Sequence, residues 1–119
     1  MINESIRNAI EKRAAISDEW DYGIRQSWEV VLSTMSESFG DTINFIENDC
    51  TADELSWLSE IFNEIVDMFP SKMLIAAFKK AASKYPAEVK KYNLNYCINE
   101  AEEHLDFILS SQEVNKDEQ

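Results

Sequence analysis

Apolar residues recur every three or four positions along most of this chain, a spacing that favours helices over strands. No segment alternates with period two over the length of a strand. The 119 residues include only two glycines and two prolines, so the connections between elements must be short. We therefore predict an all-α fold, a single-domain bundle or short helical stack of about five to six helices. The clearest core-facing run is Trp20, Ile24, Trp28, Val31, Met35 and Phe39.

Local signals set the ends of two helices. Residues 3–15 are expected to form the first helix, with Ile6 and Ile10 buried and Arg13 facing away from the core. The segment from Thr51 to Glu54 has the form of a capping box, which starts a helix that should run to about residue 69. Residues 1–110 are predicted to form the domain, and residues 111–119 a polar, disordered tail.

Cysteine usage and hydropathy bear on the compartment. Cys50 and Cys97 have no ligand-like spacing, so we expect reduced, partly buried thiols and no metal site. No apolar run approaches the roughly 18 residues that a membrane span requires. Residues 1–13 mix charges and lack the apolar core of a signal peptide. These features predict a cytoplasmic protein with no cofactor.

Negative charge is concentrated in residues 20–68, which carry eleven acidic side chains and one basic side chain, Arg25. The net charge of this segment is therefore −10, against −12 for the whole chain. Such a field repels nucleic acid and anionic lipid and attracts a basic protein. Residues 71–92 carry six lysines, which we expect to form solubilising surface and to pair with the acidic helices rather than to bind phosphate.

The candidate binding site lies on the helix that the capping box opens. Its members recur at spacings of four, three, four and three, which places them on one face opposite the core. Their like charges repel one another, and a basic partner would offset that cost, with the tryptophan as its apolar anchor. The alternative is a solvated helix face whose tryptophan flanks the core under a neighbouring helix. The predicted partner-binding residues are Asp53, Trp57, Glu60, Glu64 and Asp67.

No catalytic or metal-binding pattern competes with this interpretation. Glu100 and His104 lie four apart, but a metal site needs a third and a fourth ligand, and none recurs nearby at helical spacing. The chain contains no glycine-rich phosphate loop, no GxSxG and no HExxH motif. His104 is the only histidine, so no second one can assist a serine or cysteine nucleophile. We therefore predict no catalytic residues and no enzymatic activity.

Several short stretches also carry a resemblance to a known class of proteins. They are the run from Asp49 to Phe62, the tripeptide Lys84-Tyr85-Pro86, the tripeptide Tyr92-Asn93-Leu94 and the pair Ala101-Glu102. Together they resemble the small acidic immunity proteins of bacterial contact-dependent growth inhibition systems. The resemblance covers about half of the chain, and it implies a cytosolic protein that neutralises a toxin domain, frequently a nuclease, without catalysis. That class is structurally diverse, so it assigns no binding residues here.

Charge and resemblance together predict an immunity protein that binds and neutralises a cognate basic toxin domain by charge-complementary occlusion. Neither nucleic acid nor membrane is an expected direct partner, and the oligomeric state is left open. One alternative is an acidic helical adaptor or chaperone-like module for a basic client. A second alternative is a nucleic-acid mimic, which would need carboxylates spaced along an elongated surface like phosphates, and the lysine-rich segment interrupts such a surface.

Overall fold

The computed structural model describes the backbone of residues 2–17 and 19–117 and the side chains of residues 3–17 and 19–111. Within this part the fold is all-α and forms a single domain, which confirms the predicted class. It contains seven helices rather than five to six, because Pro86 opens a helix of its own where a basic turn was expected. The helices are α1 (Ile2–Ala14), α2 (Asp21–Ser36), α3 (Phe39–Asn44, continued by a π-helical turn, Phe45–Asp49), α4 (Ala52–Leu58, a 3-10 turn Ser59–Ile61, and Phe62–Met68), α5 (Lys72–Ser83), α6 (Pro86–Tyr92) and α7 (Leu94–Asp117).

Helix α4 lies at the centre of the fold. It packs against α1 and α2 at one side and against α6 and α7 at another. Its core face holds Leu55, Leu58, Ile65 and Val66, all buried, as the helical spacing predicts. Phe62 stacks on Phe78 of α5, with ring centroids 4.1 Å apart. Because the buried face of α4 is used in this way, only its remaining face can contact a partner.

Capping residues fix where several helices begin. The Thr51 hydroxyl accepts a hydrogen bond from the Glu54 amide, and the Glu54 carboxylate accepts one from the Thr51 amide, so the predicted capping box is confirmed. Ser38 caps α3 in the same position relative to its helix, and Ser71 caps α5. Asn93, with φ of 54°, takes the left-handed conformation that lets α6 end and α7 begin one residue later.

The side chains of Arg13 and Trp20 lie opposite to their predicted positions. Arg13 is only 3% exposed, whereas Trp20, predicted to be in the core, is 56% exposed. Arg13 follows Ile10 by three residues and Ile6 by seven, so the helix places it on their buried side despite its charge. Trp20 precedes α2, so the spacing of that helix does not set its direction, and its indole lies over Gly23 instead.

The chain beyond residue 110 belongs to the last helix as far as its backbone is described, since α7 is assigned from Leu94 to Asp117. The side chains from residue 112 onward, and the whole of residues 118–119, lie outside the described part of the structure. The disordered tail expected for residues 111–119 therefore stays a prediction. Among the helices described, none combines the length and the apolar character needed to cross a membrane.

Candidate functional site

The beginning of α4 is clamped to α1 by a buried carboxylate. Arg7 donates to both oxygens of Glu54, at 2.8 Å from Nε and 3.2 Å from Nη2. Its Nη2 also donates to the carbonyl oxygen of Asp49, at 2.8 Å. Burial works to raise the pKa of Glu54, but the hydrogen bonds from Arg7 and from the Thr51 amide outweigh it, so the pKa is held below its usual 4.5. Glu54 is therefore structural, and it fixes the direction in which its neighbours on α4 project.

Asp53, Trp57 and Glu60, three of the five predicted residues, line one surface depression of about 350 Å³. Tyr92, the last residue of α6, also lines it and is 44% exposed. The Asp53 carboxylate is exposed and forms no ion pair with any described residue. This depression therefore combines an unneutralised carboxylate with two aromatic side chains.

Trp57 is half-buried and packs against the core, because Arg13 covers one face of its ring. The Arg13 Cζ lies 4.8 Å from the Trp57 ring centroid and 5.6 Å from that of Trp28. Glu60 completes the cluster, accepting hydrogen bonds from Arg13 Nη2 at 3.1 Å and from Trp28 Nε1 at 3.2 Å. Two interpretations of the five predicted residues were given above. Trp57 fits the second of them, in which the tryptophan flanks the core beneath a neighbouring helix. Whether its remaining edge contacts a partner stays a prediction.

Glu64 lies in the next depression along α4, which it lines together with Glu60, Cys97 and Glu100. Glu64 is exposed and has no ion-pair partner in the described part of the chain. Glu100 comes from α7 and was not among the predicted residues, although its spacing of three from Cys97 and four from His104 indicates a common face. Tyr96 lies four residues before Glu100 on α7, and the nearby carboxylate raises the pKa of that phenol above its usual 10.0.

Asp67, the last of the five predicted residues along α4, contacts His104 of α7. Its Oδ1 lies 2.6 Å from His104 Nε2, and both side chains are partly exposed. His104, considered above with Glu100 as a metal ligand, thus contacts a carboxylate on another helix instead.

The five predicted residues share one side of α4, but they are not equivalent. Asp53 and Glu64 present carboxylates to solvent, whereas Glu60 and Asp67 already contact Arg13 and His104. The name "α4 face" is used below for Asp53, Trp57, Glu60, Glu64 and Asp67, with Tyr92 and Glu100 at its borders.

The lysines of residues 71–92 neutralise only a small part of the acidic segment, residues 20–68. Lys80 Nζ lies 3.5 Å from a carboxylate oxygen of Glu47, and Lys84 donates to the carbonyl oxygen of the same residue. Lys79 pairs with Glu102 of α7, at 3.0 Å, outside the acidic region. The predicted pairing of the lysines with the acidic helices is therefore confirmed for Glu47, while the α4 face lies outside it.

The two thiols are free, Cys50 buried and Cys97 half-buried. Burial, with a further contribution from the Glu54 charge, raises the pKa of Cys50 to about 12. This thiol is therefore protonated at neutral pH and is not a nucleophile. Among the side chains described, no three of His, Cys, Asp or Glu are grouped so as to hold a metal ion.

The α4 face is thus a shallow acidic surface with aromatic side chains at one end, and it does not enclose a cavity of the kind that buries most of a small ligand. No protein family, curated protein or solved structure matches this chain.

Proposed function

We propose that this protein binds and neutralises a basic toxin domain, a nuclease being the favoured class, through the α4 face. The observation that carries the proposal is the pair of exposed carboxylates of Asp53 and Glu64, which have no ion-pair partner among the described residues. They lie in a segment of net charge −10. A cationic partner would supply the neutralisation that these two carboxylates do not receive from any described residue.

Charge complementarity explains why a nuclease suits this face. A nuclease presents cationic groups to the phosphates of its substrate, and carboxylates placed against those groups compete for the same hydrogen bonds. A localised field of opposite sign also raises the association rate, by roughly 10 to 1,000-fold at low salt. Rapid capture matters for an immunity protein, because the toxin acts as soon as it enters the cell.

The contacts around Arg13 divide the α4 face into two roles. Trp57 and Glu60 hold Arg13 in place, so their replacement would disturb the packing of α1 and α2 as well as the surface. Asp53 and Glu64 contact no described side chain in this way, and they are the groups free to pair with a partner. Tyr92, 44% exposed beside Asp53, offers further contact area at low conformational cost, with Lys91 Nζ 5.1 Å from its ring centroid.

The test is a coexpression experiment with the product of the adjacent gene, compared between two double variants. Asp53→Lys/Glu64→Lys reverses the two free carboxylates of the α4 face, and Glu37→Lys/Asp41→Lys makes the same charge change at the α2–α3 connection. We expect the wild type and the second variant to rescue growth from a lethal basic product. The first variant should fail to rescue and should bind at least about tenfold more weakly.

Equal rescue by both double variants would contradict the α4 face as the binding surface. A basic product that is bound but is not lethal would instead support the adaptor interpretation, because an adaptor holds a harmless client. A protein that binds no basic product encoded nearby, and none recovered at low salt from its own cells, would contradict both.

A further inference from the structure

The outer side of α7 carries two aromatic side chains that are mostly exposed. Tyr96 is 56% exposed and Phe107 is 70% exposed. They lie eleven residues apart, close to three helical turns, so both project from the same side of the helix. The buried residues of α7 line the opposite side and are Leu94, Ile98, Ala101 and Leu105. The core of the fold therefore does not account for the position of either ring.

Two carboxylates lie between these rings on the same side of α7. Glu100 follows Tyr96 by four residues and Glu103 precedes Phe107 by four, a spacing that brings the Cβ atoms of each pair within about 5–6 Å. The Glu100 carboxylate is the main cause of the raised pKa of Tyr96, and the charge of Glu103 adds to it, so both acids act on the same phenol. The name "α7 stripe" is used below for Tyr96, Glu100, Glu103 and Phe107.

Both acids of the α7 stripe are exposed, and neither forms an ion pair with a described residue. Two contacts of α7 with charged neighbours lie on its flanks, where Glu102 contacts Lys79 of α5 and His104 contacts Asp67 of α4. The described backbone beyond the stripe remains helical as far as Asp117, so it does not fold back over the stripe. The α7 stripe is thus open to a partner.

Charge and residue type determine which partner fits the α7 stripe. However two α7 helices were paired, carboxylates would face carboxylates in molecules of net charge −12, which opposes a second copy of the chain. A cationic partner is favoured, because both charged groups of the stripe are acidic. Arginine fits better than lysine, since a planar guanidinium can stack on an aromatic ring while it donates two hydrogen bonds to a carboxylate.

We propose that the α7 stripe docks an arginine-rich segment of the partner in two guanidinium subsites. In the first subsite an arginine would stack on Tyr96 and pair with Glu100, and in the second an arginine would stack on Phe107 and pair with Glu103. The centres of the subsites are seven residues apart, which is about 10.5 Å along the helix. That the arginines belong to a toxin domain rests on the proposed function, whereas the two subsites rest on α7 alone.

Glu100 makes the α7 stripe continuous with the α4 face. It lines the same depression as Glu60 and Glu64 of α4. A partner that covers the α4 face would therefore reach the stripe without a gap, and the two contacts would reinforce each other through their effective concentration. The subsite of Glu103 and Phe107 lies outside the α4 face, so it can be altered separately.

Labelled model peptides test the α7 stripe without knowledge of the partner. The probe is an amidated helical peptide of about sixteen residues, built from alanine and glutamine, with two arginines seven positions apart. Its binding is measured by fluorescence anisotropy at about 0.15 M salt, where charges more than about 8 Å apart are screened. Two matched peptides carry lysines at the same positions, or arginines only three positions apart.

We expect the arginine peptide to bind at least about threefold more tightly than either matched peptide. Tyr96→Ser and Phe107→Ser should each weaken the arginine peptide at least about threefold. Tyr22→Ser is the matched control, because Tyr22 is 64% exposed on α2 but the residue four positions later is Gln26 rather than an acid. It should change binding by less than about 1.5-fold.

The carboxylates of the α7 stripe are tested by a pair of double variants. Glu100→Gln/Glu103→Gln should weaken the arginine peptide at least about fivefold. Glu37→Gln/Asp41→Asn removes the same charge at the α2–α3 connection, and it should change binding by less than about twofold. All of these variants alter exposed side chains, and circular dichroism checks that each protein retains its helices.

Unchanged peptide binding in the α7 variants, or equal binding of the lysine peptide, would overturn the proposal. So would a dimer of the wild-type protein that Phe107→Ser dissociates in sedimentation velocity, since a second copy would then be the occupant. With the natural partner, a Tyr96→Ser/Phe107→Ser protein that binds normally while Asp53→Lys/Glu64→Lys does not overturns the α7 stripe alone. The reverse result overturns the α4 face alone.

Discussion

Glu54 links the stability of this fold to pH. Its carboxylate holds both the Thr51 amide and Arg7, and its pKa in the folded protein lies below the usual 4.5. The lowered pKa means that the stabilisation is fully present above pH 4.5 and is lost as the pH falls through the lower folded value. Glu54→Gln should therefore cost about 1–3 kcal/mol at neutral pH and flatten the fall in stability on the acid side.

Urea unfolding at a series of pH values from neutral to acid measures this effect. Asp53→Asn is the matched control, because its carboxylate is exposed one residue earlier on the same helix and forms no ion pair with any described residue. In Asp53→Asn the free energy of unfolding should fall towards acid pH as steeply as in the wild type. An equally steep fall in Glu54→Gln would show that the ionised Glu54 carboxylate gains no stabilisation from Arg7.

Arg13 holds three helices together through one side chain. Its guanidinium lies between the Trp28 and Trp57 rings and bonds to Glu60. Arg13→Ala removes these contacts and leaves a space between the two indoles, so we expect a loss of about 2–4 kcal/mol in the free energy of unfolding. The free energy of unfolding of Arg13→Lys should lie between those of the wild type and Arg13→Ala, because an ammonium keeps the charge but not the planar stacking.

The control for this change is Arg25→Ala, at an exposed position of α2. Arg25 lies four residues from Asp21 and from Glu29, and none of the three forms an ion pair in the described structure, so its loss should stay within about 0.5 kcal/mol. Denaturant midpoints with equal slopes would allow direct comparison. If Arg13→Ala were as mild as Arg25→Ala, the cluster would contribute nothing to stability.

For these residues, helical spacing predicts side-chain burial better than residue type does. The spacing from Ile6 and Ile10 places Arg13 on the buried side of α1, so the prediction that Arg13 faces away from the core was wrong; charged side chains are seldom buried unless they are paired, as Arg13 is here. The indole of Trp57 is half-covered because Arg13 reaches it from another helix, a contact that local sequence cannot reveal. Glu100 also reaches the border of the α4 face through tertiary packing. Its spacing from Cys97 and His104 on α7 nevertheless indicates that these three residues share one face of that helix.

Helix α2 begins with a conflict between helix propensity and side-chain packing. Gly23 is unfavourable inside a helix by roughly 0.5–1 kcal/mol relative to alanine, yet a Cβ there would collide with the Trp20 ring. That ring belongs to a largely exposed side chain, so it can rotate away at small cost. We therefore expect Gly23→Ala to leave stability equal to or above that of the wild type, while the indole moves away from the helix backbone.

Gly40→Ala is the matched control, because Gly40 also lies within a helix and a Cβ there would meet no atom within 4 Å. Both variants are compared by urea unfolding and by acrylamide quenching of tryptophan fluorescence. Only Gly23→Ala should increase quenching. A loss of more than about 1 kcal/mol in that variant would mean that the indole is fixed more tightly than its exposure implies.

At the scale of elements, patterns with a local cause were predictable and those with a tertiary cause were not. The capping box of Thr51 and Glu54 and the buried faces of α4 and α5 follow from sequence, because each depends on residues within one or two turns. The 3-10 turn Ser59–Ile61 interrupts α4 without any glycine or proline to announce it. It lies where α4 packs against α7.

Across the whole molecule, the distribution of charge was predictable but its pairing was not. Residue counts alone locate the net −10 in residues 20–68. Which carboxylates remain free depends on how α5 approaches the π-helical turn, where Lys80 and Lys84 both reach Glu47. The division of the α4 face into free and engaged acids is likewise a property of the packed fold, since Arg13 and His104 lie far from it in sequence.

The unpaired negative charge should make the stability of the fold depend on salt, and this can be measured without any partner. With a net charge of −12 and few ion pairs among the residues that the structure describes, repulsion among carboxylates should outweigh attraction, so added salt should stabilise the fold. Urea unfolding serves here, because guanidinium is itself a salt. The midpoint should rise between about 0.01 and 0.15 M NaCl. Glu37→Lys/Asp41→Lys reverses two exposed acids, brings the net charge to −8 and should reduce the rise. A midpoint that falls with salt would mean that internal ion pairs dominate, and the protein would then lack the outward field by which it is proposed to capture a cationic partner.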